Sequence, residues 1–339
     1  MSLRRESGAA LLTAMIIVTL IASLAAGMVW QQYRAVQTEA ADRARAQSGW
    51  MLQGALDWAR LILKEDLKAD LSRPPLRDHL GEPWAVPLAE ARLSTFLAAD
   101  RTVASDDGPE AFLSGTIEDA QARYNLRALL GGNKVPELEQ RVLERLCAQV
   151  NAPPGTSNVI IAGLRAAFPA AASGASQPGQ GAGGPASGAN AGTPIEQGPL
   201  QPANLNQLAW FGLEADTLKR LEPYVVLLPK PTPVNLNTAP REVIAALFDG
   251  MDLSAAERLV QGRKARPLQD VSADVAAYLP ANALPQANAA RASVSSSYFI
   301  VTGRLRLDER QLEQRSLVER QGQNTVVLAR ERVSQLIDH

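Results

Sequence analysis

The chain has 339 residues, and its 34 Lys and Arg against 35 Asp and Glu give a net charge of −1, so no global basic field draws it to nucleic acid. Two histidines, His79 and His339, and one cysteine, Cys147, leave three-imidazole metal sites and the Ser-His-Asp and HExxH constellations short of side chains, and exclude an intramolecular disulfide. Neither a P-loop nor a GxGxxG string occurs, so composition argues against an enzyme.

The first element is an apolar run from Ala9 to Val29, broken only by the uncharged Thr13, Thr19, Ser23 and Gly27. Such a run is long enough to cross a hydrocarbon core of roughly 30 Å. Arg4 and Arg5 stand before it and hold that end in the cytoplasm, sending the remainder outward. Ala22 to Ala26 offer small residues to a signal peptidase, but a secretory signal has a shorter apolar region of about 7–15 residues. No proline interrupts the chain until Pro74, and the helix is expected to continue to about Leu71. Met51, Ala55, Trp58 and Ile62, with the adjacent row Leu52, Leu56, Ala59, Leu63 and Leu67, form one wide apolar stripe on the second half of this helix.

A short basic leader ending in Gly8, an apolar helix starting at Ala9 and an amphipathic extension resemble a type IV pilin or pseudopilin. The resemblance implies a prepilin peptidase that cuts after Gly8 and methylates the new amino terminus at Ala9. The glutamate usual at the fifth mature position is replaced by Thr13. In ordinary pseudopilins that carboxylate, costly in lipid, pairs with the amino terminus of the subunit already assembled above. A subunit without it needs no neighbour above, and this departure is similar to the K-type minor pseudopilins of the type II secretion system.

Farther along, Trp84–Leu88 (WAVPL), ARLSTFLAAD and AFLSGTIEDAQARYNLRAL read as short strands around the turn SDDGPE. The end of the chain reads as a three-stranded meander, Tyr298–Leu307, Leu312–Arg320 and Thr325–Val333, in which apolar and charged residues alternate as on a sheet with one wet face. Between the strand groups the pattern is helical. Val142, Leu143 and Leu146 share a face of the helix expected over Pro136–Val150, where Cys147 reads as a buried, inert thiol. Residues 169–202 are Gly, Ser, Ala and Pro with almost no charge, too little to order itself, and read as a disordered surface loop. Helices are expected to resume over Asn204–Leu228 and Val234–Val271, with Asn237 or Thr238 capping one that begins near Pro240 and Ser254 capping the next.

This last pair resembles half of a helix-hairpin-helix (SAM-like) module, with two halves in tandem, and supplies the main alternative function, a DNA-binding or DNA-uptake protein. Such modules hold phosphates on a Gly-hydrophobic-Gly turn, where this chain has Gly250-Met251-Asp252. Charges over residues 234–270 also cancel: Arg241, Arg258, Arg263, Lys264 and Arg266 face Glu242, Asp249, Asp252, Glu257 and Asp270. Counter-ion release needs a basic surface, and nucleic acid is not expected as a partner.

GTIEDAQARYNL at 115–126, VNLNTAP at 234–240, WAVPL and SYFIVTG follow the K-type pseudopilin order along nearly the whole soluble chain. The resemblance implies an α+β fold: a leader (1–8), a transmembrane helix (9–29), and a pilin-like domain with an antiparallel sheet (30–125 and 293–339) interrupted by a large α-helical domain (126–292). It also implies a non-enzymatic subunit, single-pass in the bacterial inner membrane with its C-terminal domain in the periplasm. Its place is the pseudopilus tip, where it initiates or caps assembly for export of folded proteins. The partners implied are the I- and J-type minor pseudopilins, through them the H-type and major pseudopilins, the prepilin peptidase, and secreted proteins. No cofactor is read from the residues, although the family resemblance admits calcium in the pilin domain. The acidic groups Asp106, Asp107 and Glu110, Glu118 and Asp119, and Asp308 and Glu309 lack EF-hand spacing and read as solvated turns, so no metal ligand is assigned.

Overall fold

The structure, a computed structural model, describes residues 7–92, 111–132, 134–169, 199–307 and 310–336. One helix, α1 (Ser7–Leu71), opens it, and two compact units divide the chain at residues 55 and 56. In the first unit α1 is long and apolar enough to cross a membrane. Its polar interruptions are satisfied within the helix: the hydroxyls of Thr13, Thr19 and Ser23 donate to the carbonyls of Ala10, Ile16 and Leu20 at 3.0, 2.9 and 2.9 Å, which suits a lipid surround that offers no other acceptor.

In the second unit α1 continues to Leu71, close to the prolines at 74 and 75 that cannot extend it. Leu56, Ala59 and Leu63 are buried and join Trp84, Phe299, Val301 and Val318 in one core, with the Trp84 and Phe299 rings edge to face at 5.3 Å. Each fully buried leucine contributes about 1.5–3 kcal/mol. The apolar stripe is narrower than its sequence implies: Trp58, expected within it, is 59% exposed, because a helix lying on a sheet covers only the arc facing that sheet.

Among the described residues, nine strands follow in chain order: β1 (Leu88–Arg92), β2 (Ala111–Asp119), β3 (Tyr124–Asn125), β4 (Val225–Val226), β5 (Val234–Asn235), β6 (Ala292–Ser293), β7 (Tyr298–Leu307), β8 (Arg310–Gln321) and β9 (Asn324–Leu336). Five form an antiparallel sheet in the order β1-β2-β7-β8-β9. The meander stands where the alternation places it. Trp84 does not start a strand; Pro83–Ala85 is a 3-10 turn and pairing begins at Leu88, since neither Pro83 nor Pro87 can donate to a ladder. ARLSTFLAAD falls mostly outside the described residues.

Between β2 and β7 lies a helical region with its own core. It has two parts, each closed at its base by a short parallel pair. β3 pairs with β4 (Tyr124 opposite Val225), and β5 with β6 (Val234 opposite Ala292). Helix α2 (Glu137–Gln149) presents Val142, Leu143 and Leu146 inward as their spacing predicts, and α3 is Thr156–Ala167. The stretch expected to be helical from Asn204 to Leu228 is instead a 3-10 turn (Leu205–Phe211), a short helix α4 (Ala215–Leu221) and β4, because Gly212 at φ 87° stops the first turn. In the second part, α5 (Arg241–Leu247) and α6 (Leu253–Ala265) pack as a hairpin. Their caps differ from expectation. Pro240 precedes α5 without a side-chain bond, Asn237 and Thr238 being used elsewhere, and Asp252 rather than Ser254 caps α6, accepting from Ala255 N at 2.6 Å. The Gly, Ser, Ala and Pro segment lies outside the described residues except at its ends.

Candidate functional site

Two features could carry function: the surface of α1, and a polar junction buried where the sheet meets the helical region. Gly8, Ala9 and Thr13 all fall in the first turns of α1, where the Thr13 hydroxyl donates to the carbonyl of Ala10. In the second unit, past the apolar run, the outer side of α1 carries Trp58 and Leu61, 59% and 47% exposed. Beside them an open groove of about 490 Å³ runs along α1 to the β8–β9 turn, lined by Asp57, Arg60, Leu61, Lys64 and residues 324–326. Arg60 donates to the carbonyl of Thr325 at 2.7 Å and fixes that turn against the helix. Exposed large aromatic and aliphatic side chains beside a groove are what a protein partner covers.

The junction is built from the strings that carry the family resemblance. Asp119, at the end of β2, reads from sequence as part of a solvated turn, but it is buried and its Oδ2 accepts from Thr238 Oγ1 (2.6 Å), Ser296 Oγ (2.6 Å) and Asn235 Nδ2 (2.9 Å). Asn235 donates further to the carbonyl of Asp78 at 3.1 Å, and Gln121 ties the carbonyl of Pro233 to the amide of Ser297. Asn237 brackets Leu268 through both its amide and carbonyl and reaches Val294 O. VNLNTAP and GTIEDAQ are thus two halves of one clamp, with polar side chains replacing the backbone ladder that the chain lacks where it leaves the sheet.

Behind this clamp lies a second cluster that the sequence reading missed. Arg320, buried on β8, donates to Asp66 of α1 at 2.7 Å and to Asp78 at 2.5 Å, and its guanidinium stacks 4.4 Å from the Phe299 ring. Asp78 also accepts from Ser296 N at 2.7 Å. The signal was present: Ser316, Val318 and Arg320 share one face of β8 by the two-residue period, and Arg on a core face demands a carboxylate. Burial raises the Asp66 carboxyl to about 6 despite its pairing with Arg320, and raises Asp119 to about 6. Burial also pushes Glu82 up to about 8, although it accepts from Trp84 Nε1 at 2.5 Å and His79 N at 3.1 Å. His79 is lowered, mainly by burial and then by Arg77.

Carboxylate oxygens of Asp66, Asp78 and Glu82 lie within 4.8 Å of one another, which raises the calcium that the resemblance admits. The residues do not fit it. Calcium takes about six to eight oxygens, whereas here Arg320 already occupies Asp66 and Asp78 and two N–H groups occupy Glu82. Asp106, Asp107, Glu110, Asp308 and Glu309 lie outside the described residues. Cys147 is buried on α2, where burial raises its thiol to about 11, the state of an inert sulfur.

Family models described as type II secretion system (T2SS), protein K match residues 122–230 and 234–295, the two parts that the parallel pairs close. Type II secretion system protein K of Pseudomonas aeruginosa is 30% identical over 268 residues, covering 77% of this chain and 73% of its own. The Klebsiella pneumoniae protein of the same name is 30% identical over 345 residues, 96% of each.

The chain belongs to the type II secretion system protein K family.

A solved structure described as the GspK-GspI-GspJ complex from the enterotoxigenic Escherichia coli type 2 secretion system contains a chain of the same fold, with a TM-score of 0.62 at 21% identity, covering 86% of this chain and 98% of that one. The mixed fold expected from the sequence is therefore the fold of a protein K, and the apolar helix fits anchoring in the inner membrane. The DNA-binding alternative gains nothing: Asp252 serves as a helix cap, and Arg263 is turned inward to the carbonyl of Leu236.

Proposed function

We propose that this protein K is a non-enzymatic minor pseudopilin that occupies the tip of the pseudopilus and initiates or caps its assembly, joined to I- and J-type minor pseudopilins and through them to the H-type and major subunits. Thr13 carries the reading: without a carboxylate at that place the helix has nothing to pair with the amino terminus of a subunit above it. Processing belongs to the same reading, with cleavage after Gly8 by a prepilin peptidase, methylation of Ala9, a single inner-membrane pass, and the sheet and helical region in the periplasm. Trp58 and Leu61 on the outer side of α1 are the side chains proposed to meet a partner helix. The role requires no cofactor.

Mixing the soluble fragment from Ala35 onward with purified I- and J-type soluble domains tests this reading by chromatography with light scattering. A one-to-one-to-one complex is expected, weakened by at least about tenfold when Trp58 and Leu61 are both replaced by Ala, as loss of a central aromatic anchor does. Separate monomers at micromolar concentration would sink it. Mass spectrometry of the chain from membranes, expected to begin at Ala9, checks the processing step.

A further inference from the structure

Immediately after the apolar run stand Trp30, Tyr33 and Arg34, at helical spacings that put all three on one side of α1. Trp30 and Tyr33 are about two-thirds exposed, at 63% and 65%, and the Arg34 guanidinium lies 5.1 Å from the Trp30 ring. The next cations along the helix are already matched: Arg43 pairs with Glu39 and Arg45 with Asp42, each at 2.8 Å. Arg34 has no such carboxylate among the described residues.

Ala9 to Val29 rises about 30 Å at about 1.5 Å per residue, close to the thickness of a hydrocarbon core. When the apolar run fills that core, Trp30 to Arg34 reach the opposite headgroup layer, and beyond Val36 the helix turns polar with Glu39, Asp42, Arg43 and Arg45. Indole and phenol rings favour this layer, having an apolar body and a polar edge. An arginine there meets phosphodiesters, whose paired oxygens match its fork of N–H donors.

We propose that Trp30, Tyr33 and Arg34 form a lipid-headgroup clamp: Arg34 binds the phosphate of a phospholipid in the leaflet far from the leader, and the two rings seat at glycerol depth beside it. This rests on reading α1 as membrane-inserted. The clamp sets the depth of the helix, so that residues after Val36 stand in water. Its ion pair to lipid has to be broken before the subunit leaves the bilayer.

The full chain reconstituted in phosphatidylethanolamine and phosphatidylglycerol vesicles tests the clamp, with bromine carried either near the headgroup or near the end of the acyl chain. Emission from Trp30 is isolated as the difference between the protein and W30F. Flotation with the vesicles comes first, and failure to float overturns the membrane reading itself. Given flotation, headgroup-side bromine is expected to quench the Trp30 component at least about twofold more than chain-end bromine, as interfacial tryptophan requires. Stronger quenching from the chain end, or none from either, overturns the clamp. R34Q is expected to lower that ratio and R34K to retain most of it, while an unchanged ratio in R34Q overturns the arginine–phosphate pairing.

Discussion

Buried Glu82 accepts from the Trp84 indole N–H and from the His79 amide, in a place where water is scarce. Burial raises its carboxyl from its ordinary 4.5 to about 8, so the folded chain holds a proton that the unfolded chain has released. Stability must then fall as pH rises through this window and level off above it, with a slope of at most about 1.4 kcal/mol per pH unit. Glu82→Gln keeps the acceptor for Trp84 and removes the titration. The difference in melting temperature between the two proteins, measured from pH 5 to 9, should therefore move in favour of E82Q up to about pH 8 and then stay constant. A difference that does not change with pH would refute the raised carboxyl. His79 is lowered, a base that favours its neutral form when folded, so its contribution weakens on acidification and runs opposite to that of Glu82. None of this was legible in the sequence: an acid two residues before a tryptophan looks like any surface acid until the fold removes its water.

At the scale of elements, Arg320 joins the end of α1, the segment after it and β8 through Asp66 and Asp78. Removing it leaves two buried carboxylates facing each other without a cation, and Arg320→Ala is expected to cost about 3–5 kcal/mol in denaturant unfolding of the soluble fragment. Arg320→Lys should recover only part of that, because one ammonium cannot span both carboxylates as the planar guanidinium does. A loss below 1 kcal/mol, taken as an order-of-magnitude threshold for an exposed pair, would make this pair a surface ornament. The elements themselves were readable wherever periodicity set them, as in α1, α2 and the strands β7 to β9, but the wet face was not: Tyr298 packs against Val226 and Leu228 while Val326 and Leu328 of β9 stay 37% and 38% exposed. Sequence failed where short pieces depend on distant partners. The β3–β4 and β5–β6 pairs are two residues each, too short for any period, and Asn237 and Thr238 look like helix caps until Asp119 and Leu268 are brought beside them.

For the whole molecule, the proposed place at the tip joins two distant parts of the chain. Thr13 lies in the apolar run, where a carboxylate without a partner is unfavourable, by up to about 2.5–3.5 kcal/mol at a helix centre, and the helical region between β2 and β7 is a large addition to a five-stranded sheet. Inside a close helical array such an addition would collide with the next turn, and at the tip there is no next turn. Thr13→Glu then gives a sharp outcome. A subunit with a neighbour above would gain an ion pair to that neighbour's amino terminus and assemble better. A tip subunit would carry the carboxylate into lipid unpaired, and the number of pseudopili per cell should fall severalfold, while Thr13→Val, which adds no charge, should leave it unchanged. Counting filaments by microscopy in cells carrying each variant, with crosslinks from the helical region mapped along isolated pseudopili, separates the two. Crosslinks at one end together with loss in T13E place the subunit at the tip. Crosslinks spread along the fibre, or more filaments with T13E, refute that placement.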